Sequence, residues 1–327
     1  MKECFNVKRL GLFDINSDFR KVITQMSKFT ILVDTSYDLP QEYVDEHELK
    51  IIAIPFHLNG VTHDDGRWKD ISDADFYKAL ADGGVSGTTL INPETFTQVF
   101  TEFAKNGEEL LCISLSSGLS GTAQNAVVAL NDVKETYPDC KIYCVDGMNA
   151  AGGTGLVTAL AVKKRAEGLS AEETAKWLDE KKHSCFSLFT VDDLMYLHRG
   201  GRLSKLQAVA GSIIGIKPLL NVHPDGSLKL KDKARGRKAA LETLVSQMRR
   251  SLNPDTKLDT VIISHSNCKE DAEKVADMIR AETEVNEIMI VMMGPVIGAH
   301  VGPGCVALFF EADMDRPTYE EKFYTKK

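Results

Sequence analysis

The sequence predicts an α/β fold in two parts: an N-terminal parallel, Rossmann-like α/β domain and a C-terminal α+β domain with a mixed or antiparallel sheet. Three observations carry this. Short β-branched runs alternate with amphipathic stretches as far as about residue 182, a pattern of parallel strands joined by helical crossovers. Beyond His183, Pro224-Asp225-Gly226 separates two apolar runs, a hairpin signal, and strand-like segments then follow one another closely. The length, 327 residues, also suits about two domains. The expected divisions are an extension over 1–27, the α/β domain over 28–182 and the α+β domain over 183–327.

Phe29–Val33 reads as a buried strand, followed by the turn Asp34-Thr35-Ser36 and a helix starting near Leu39-Pro40. Ile51–Phe56 is a second apolar run, and Asn59–Gly66 a Gly- and Asp-rich loop. Ser72, with Asp75 three residues on, starts a helix through Leu80 in the manner of a capping box. Asn92-Pro93 starts another helix. Glu108–Leu115 and Lys141–Val145 read as strands. Ser120–Leu130, Gly155–Glu167 and Ser170–Lys182 read as helices. In the second half Cys185–Val191 is a strand, with short helices at Asp192–His198 and Lys205–Ile214. The runs Ile216–Val222 and Ser227–Leu230 form the hairpin. Helix Arg237–Leu252 follows, then strand Thr260–Ser264, helix Lys269–Glu282 and strands Glu287–Met293 and Gly304–Phe310.

Composition excludes several classes. Lys+Arg 39 against Asp+Glu 47 gives a net charge of -8, which argues against whole-chain binding of nucleic acid. No run of 18 apolar residues is present, so no membrane span is expected. The first twenty residues lack the apolar stretch of a secretory signal. Seven cysteines, odd in number and without CxxC spacing, suit free thiols in a reducing cytoplasm. The eight histidines show no HExxH or other compact ligand set, so no metal site is expected.

Three Ser/Thr-rich turns stand next to core elements: Asp34-Thr35-Ser36, Thr88-Thr89 and Ser114–Thr122. Beyond the carboxyl ends of parallel strands, helix N-termini and hydroxyls can receive an anion. The same residues also cap helices with no further role. Gly118-Leu119-Ser120-Gly121 misses the GxSxG elbow by one residue. Gly147, Gly152, Gly153 and Gly155 miss GxGxxG, and no Walker A motif is present, so those glycines read as close packing. Arg199 and Arg202 flank a Gly-Gly turn. His300 sits among glycines and prolines (294–304), read as a loop between strands. Lys229–Leu252 carries eight basic and two acidic residues, a solvated helix or a docking face.

Seven motifs in order resemble the DegV family of bacterial fatty-acid-binding proteins, the lipid-carrying subunits of fatty acid kinase. They are DTSYDLP (34–40), TT…NPETF (88–96), SLSSGLSGTAQNA (114–126), LMYLHRGGRLSK (194–205), GSIIGIKPLL (211–220), KARGRKAAL (233–241) and GPVIGAHVGPG (294–304). The resemblance implies a two-domain fold that binds a long-chain fatty acid, with no other cofactor. It assigns the carboxylate to Thr88, Thr89, Ser117 and His300, with Ser116 and Gly298 close by. Several donors would offset the desolvation of a carboxylate, and roughly fifteen methylenes at about 0.8 kcal/mol each give roughly 12 kcal/mol of gross transfer energy. The chain itself would be a non-catalytic subunit. A separate ATP-binding kinase would phosphorylate the acid to acyl phosphate, with His300 stabilising charge. Arg199, Arg202 and the stretch 229–238 are expected to dock that kinase, so reversing Arg202 to Glu would spare lipid binding. The alternatives are a stand-alone acyl hydrolase using the Ser/His cradle and a nucleic-acid-binding regulator.

Three features depart from the family pattern. Leu90-Ile91-Asn92 stands where Gln-Pro-Ser is usual, and Ala123 where an aromatic is common. Residues before Lys28 have no counterpart, which suggests either a start at Met26 or a disordered N-terminal arm.

Overall fold

The computed structural model describes residues 29–64, 71–211 and 215–325. The expected extension over 1–27, residues 65–66 of the expected loop and residues 212–214 of the GSIIGIKPLL motif lie outside the described residues. The first half runs β1 (Thr30–Asp34), α1 (Gln41–Glu46), β2 (Lys50–Ile52), β3 (Phe56–Leu58), β4 (Val61–His63), α2 (Asp73–Ala81), β5 (Ser86–Thr88) and α3 (Pro93–Asn106). It continues with β6 (Leu110–Ser114), α4 (Thr122–Thr136), β7 (Ile142–Asp146), α5 (Gly152–Ala166) and α6 (Ala171–Lys181). Next come β8 (Cys185–Thr190), α7 (Met195–Arg199), α8 (Lys205–Gly211), β9 (Ile216–Val222), β10 (Leu228–Arg235) and α9 (Arg237–Arg250). The chain closes with β11 (Leu258–His265), α10 (Lys269–Glu282), β12 (Val285–Met292), α11 (Pro295–Val301), β13 (Val306–Glu311) and α12 (Arg316–Tyr324).

The first sheet is parallel, in the order β2-β1-β6-β7. Its connections leave β1 toward β2 on one side and reach β6 on the other. The crevice at the carboxyl ends of β1 and β6 is therefore a topological switch point. The second sheet, β10-β9-β8-β13-β11-β12, is antiparallel except for the pair β11–β12. Both agree with the fold class expected from the sequence.

Capping chemistry fixes several helix starts. Ser72 accepts from Asp75 N–H at 3.1 Å and donates to Asp75 Oδ2 at 2.7 Å. Asn92 caps α3 ahead of Pro93, and Ser170 with Glu173 forms a full capping box on α6. Helix α5 is buried on nearly all sides because it lies between the sheets. A Cβ on Gly152 would sit 2.6 Å from Ile262 of the second sheet, and one on Gly155 3.1 Å from the Asp38 carbonyl after β1. These glycines serve close packing. One apolar core accordingly contains residues of both sheets, and a second lies between the far face of the second sheet and helices α9, α10 and α12.

Three local expectations are corrected. The apolar run Ile51–Phe56 divides between two sheets. The described start of the Asn59–Gly66 loop is a hairpin, β3–β4, turning at Asn59-Gly60 with φ of 52° and 83°, the left-handed pair that an Asn-Gly turn favours. Strand β5, Ser-Gly-Thr, adds to β3 in a three-stranded antiparallel sheet, although its composition has little strand preference. The segment holding His300 is a helix, α11, and not a loop. Pro295 fits its first turn and Gly302, at φ 66°, ends it.

Candidate functional site

A cavity of about 500 Å³ lies between the switch point of the first sheet, the near face of the second sheet and α11. That size is ordinary for a small-molecule site. The turn after β6 contributes Leu115, Leu119, Ser120 and Gly121, and the start of α5 contributes Ala150 and Ala151. Phe189 and Phe309 close it from the second sheet, Val222 and Leu228 from the β9–β10 hairpin, and Val296, Ile297, His300 and Val301 from α11. The wall is mostly apolar. Thr88, His300 and Arg202 are polar exceptions that also border a second cavity, so they gather where the two meet.

Each of the three is placed by its local fold. Thr88 ends β5, registered against Phe56 of β3. His300 is in the last turn of α11, which packs on β5 and α7. Its Nε2 lies 2.8 Å from Thr88 Oγ1. Arg202 follows the Gly200-Gly201 turn, where Gly201 has φ 76°. Its Nε donates to Leu119 O at 3.0 Å and its Nη1 to Gly200 O. Gly200 has to be glycine, since a Cβ there would strike His300 Nδ1.

Burial, helped by the nearby Arg202 charge, pushes the His300 imidazole down to about 4. The ring is therefore neutral at pH 7. Its buried Nδ1 has no hydrogen-bond partner among the described residues, so no carboxylate orients it as in a hydrolase triad. If Nε2 carries the proton, it donates to Thr88 Oγ1 and leaves the Thr88 hydroxyl hydrogen to donate into the cavity. Burial also lowers the Arg202 pKa, though the guanidinium remains charged. The cavity thus offers a mostly apolar body, with the Thr88 hydroxyl, the neutral His300 imidazole and the Arg202 cation together at one place on its wall.

The remaining expected residues are arranged as follows. Thr89 is exposed at the cavity wall, with its N–H donating to Pro55 O at 2.9 Å. Ser116 and Ser117 lie off the wall. The Ser116 hydroxyl is buried and donates to Gly226 O at 2.8 Å, latching the hairpin tip to the turn after β6. Ser117 N–H donates to Asp146 Oδ1 at 3.2 Å. Gly298 is also off the wall, and the close approach it permits is to α2, where a Cβ would lie 2.6 Å from Tyr77 Oη. Arg199 is exposed, with its guanidinium over the Tyr196 ring at 4.4 Å. Arg202, expected on a docking face, is half-buried on the wall shared by the two cavities, where its turn folds back onto Leu119.

The Asp34-Thr35-Ser36 turn is structural. Asp34 is buried and accepts from Ser36 N–H at 2.9 Å and Leu115 N–H at 2.7 Å, tying the ends of β1 and β6. The basic stretch 229–238 is partly neutralised, with Lys231 paired to Glu320 and Arg237 to Asp271. Sequence reasoning missed Ser120, which lines the cavity while its hydroxyl accepts from Thr122 N–H at 3.3 Å. Among the described residues no cluster of His, Cys, Asp or Glu could hold a metal ion, and no helix is long and apolar enough to cross a membrane.

A family model described as "Uncharacterised protein, DegV family" matches residues 28–313. A DegV domain-containing protein of Clostridium perfringens is 36% identical over 293 residues, spanning 89% of this chain and 100% of its own. A DegV lipid-binding protein from Thermotoga maritima is similar in structure, with a TM-score of 0.76 at 30% identity, over 88% of this chain and 99% of its own. A second Thermotoga maritima protein, whose structure reveals fatty acid binding function, has a TM-score of 0.75 at 29% identity, over 88% and 99%. A match across most of the chain, joined to a full-length relative above 30% identity, places the chain in the DegV family.

Proposed function

We propose that this protein binds a long-chain fatty acid with the carboxylate at Thr88, His300 and Arg202 and the tail in the apolar cavity. The observation that carries the reading is the cluster of Thr88, His300 and Arg202 at one place on a mostly apolar wall. A carboxylate there gains a cation and a hydroxyl, which offsets the loss of water. The tail needs apolar walls alone, and Phe189, Phe309 and their neighbours supply them. The lipid and fatty-acid binding of the two Thermotoga maritima proteins supports the same ligand class.

The role in metabolism rests on the family resemblance. A separate ATP-dependent kinase would transfer the γ-phosphoryl group to a carboxylate oxygen. The new O–P bond forms as the bond to the β-phosphate breaks, and the electron pair leaves with ADP. The chain would act in the cytoplasm as the lipid-presenting subunit, with Arg199 at the docking face. His300 would help hold the carboxylate rather than act as a base, because burial depresses its pKa and makes the imidazole a weak base, and no carboxylate orients its Nδ1 among the described residues.

Native mass spectrometry of protein purified from a bacterial host tests the ligand class. The expected result is a co-purifying fatty acid. Protein that carries none and binds none when it is added overturns the reading.

A further inference from the structure

The near face of the second sheet, one wall of the acyl cavity, carries a row of residues that crosses four strands. Leu228 of β10 is opposite Val222 of β9, and Ser187 of β8 is opposite Phe309 of β13. The register of β8 on β9, with Leu188 opposite Asn221, sets Val222 beside Ser187. All four line the cavity. Strand alternation turns Ser187 and Phe189 to this face, while Phe186 and Leu188 pack in the core on the other side. Leu228, Val222 and Phe309 are what an acyl tail requires, and Ser187 is the exception.

Its hydroxyl has a fixed direction. Asn149, buried just before α5, has its side-chain amide 3.2 Å from Cys185 O. A carbonyl can only accept, so the amide NH2 faces Cys185 and Oδ1 faces Ser187. Oδ1 also only accepts, so Ser187 donates its one proton to Asn149. No donor among the described residues reaches the Ser187 lone pairs. Ser187 therefore meets the cavity as an acceptor and not as a donor. Its place along the tail follows from β13. Cys305, which also lines the cavity, comes shortly after α11 and its His300, and Phe309 stands four residues further on, about 13 Å at about 3.3 Å per residue. With the carboxylate at His300, Ser187 lies against the middle of a long chain.

We propose that Ser187 is a specificity residue for acyl chains that carry a mid-chain hydroxyl. This rests on the fatty-acid reading above. A hydroxyl on the chain supplies the proton that the Ser187 lone pairs lack, which offsets its own desolvation. A keto group at the same carbon is an acceptor facing an acceptor and stays unpaired. A saturated chain leaves Ser187 with its bond to Asn149 and introduces no polar atom of its own. The site thus separates hydroxy from oxo chains, two ligands of nearly equal size that differ in one donor.

The test measures displacement of a fluorescent fatty acid from the full-length, delipidated protein. The competitors are stearate and stearates with a hydroxyl or an oxo group at carbon 8, 10 or 12. In the wild type at least one hydroxy isomer is expected to bind about 3- to 10-fold more tightly than the oxo isomer of the same carbon. Ser187→Ala is expected to bring that pair within twofold of each other and to leave stearate within twofold of wild type. Ser187→Cys, closer in shape and a weak acceptor, gives the same reading should the alanine variant not fold. Equal binding of the hydroxy and oxo isomers at all three carbons overturns the assignment, as does a preference that the Ser187 variants retain in full. Absence of stearate binding by the wild type refutes the underlying fatty-acid reading instead, and the stearate arm reads it separately.

Discussion

Replacing Arg202 by Gln should weaken fatty-acid binding by about 10- to 100-fold. The magnitude follows from where the guanidinium lies. It is half-buried on the cavity wall beside His300, fixed by bonds to Leu119 O and Gly200 O. A carboxylate drawn out of water next to it gains a charge-assisted hydrogen bond worth roughly 1.5–3 kcal/mol, and about 1.4 kcal/mol is a factor of ten. Arg202→Lys retains the charge without the planar fork and should fall between the two. The same charge helps depress the His300 pKa, so His300 should titrate at higher pH in ligand-free Arg202→Gln. Displacement of a fluorescent fatty acid gives the affinities, NMR titration gives the histidine, and thermal unfolding of the same samples checks that both variants are folded. A dissociation constant within twofold of wild type, together with an unmoved His300 titration, would refute the placement. It would return Arg202 to the outer surface expected from the sequence.

Three further outcomes follow from the site. In ligand-free protein His300 takes up its proton near pH 4 when folded and near 6.5 when unfolded. Between these values the unfolded chain holds more protons. The contribution to stability is therefore complete above pH 6.5 and is lost as pH falls toward 4, by up to about 3 kcal/mol. Urea unfolding at pH 7 and pH 4.5 should show this part of the decline in the wild type and not in His300→Gln; the same decline in both would assign it to other groups. Ser116→Ala should cost about 1–2 kcal/mol of stability, by leaving Gly226 O without its donor, and should change fatty-acid affinity less than twofold. Thr88→Val should do the reverse, weakening binding about 3- to 10-fold with little change in unfolding temperature. Equal losses of affinity in the two variants would contradict the division between latch and ligand hydroxyl.

The parts of the fold that sequence disclosed are those set by local chemistry. Helix α2 is announced by Ser72 and Asp75, α3 by Asn92-Pro93, and the β9–β10 hairpin by Pro-Asp-Gly, because each signal acts within a few residues. Strand β5 was not legible. Ser86-Gly87-Thr88 becomes a strand through pairing with Phe56–Leu58, some thirty residues earlier, and nothing within it announces that partner. Helix α11 was obscured by its glycines. Gly298 looks like a loop residue until Tyr77 is seen against it, at which point the glycine is a condition for packing. The site follows the same rule. Thr88 and His300 were legible as motif residues, but their separation of 212 positions is closed only by the tertiary fold. Ser116 and Ser117 have the same side-chain chemistry as a ligand hydroxyl. Only the positions of Gly226 and Asp146 show that their turn is held by protein partners. Arg202 is legible as notable, but not its half-buried place on the wall shared by the two cavities, since one glycine turn decides whether a guanidinium points outward or folds back onto Leu119.

Head and tail have different tasks in such a site. Roughly fifteen buried methylenes bring a gross transfer energy of roughly 12 kcal/mol, against roughly 1.5–3 kcal/mol for a charge-assisted bond to the head. A fatty acid should therefore enter even a damaged head site, which is why Arg202→Gln is expected to weaken binding and not abolish it. The polar cluster should instead determine which end faces the second cavity. Thr88 and His300 belong to β5 and α11, and Arg202 to the turn after α7. Reversing the ligand would move the carboxylate away from all three and among Phe189, Phe309 and Val222, where no charged side chain lines the wall among the described residues. An ionised carboxylate without partners in such surroundings is penalised by several kcal/mol. Tail burial contributes similarly in either direction, so the difference between the two ends should fix the orientation, with the carboxylate at the wall shared with the second cavity.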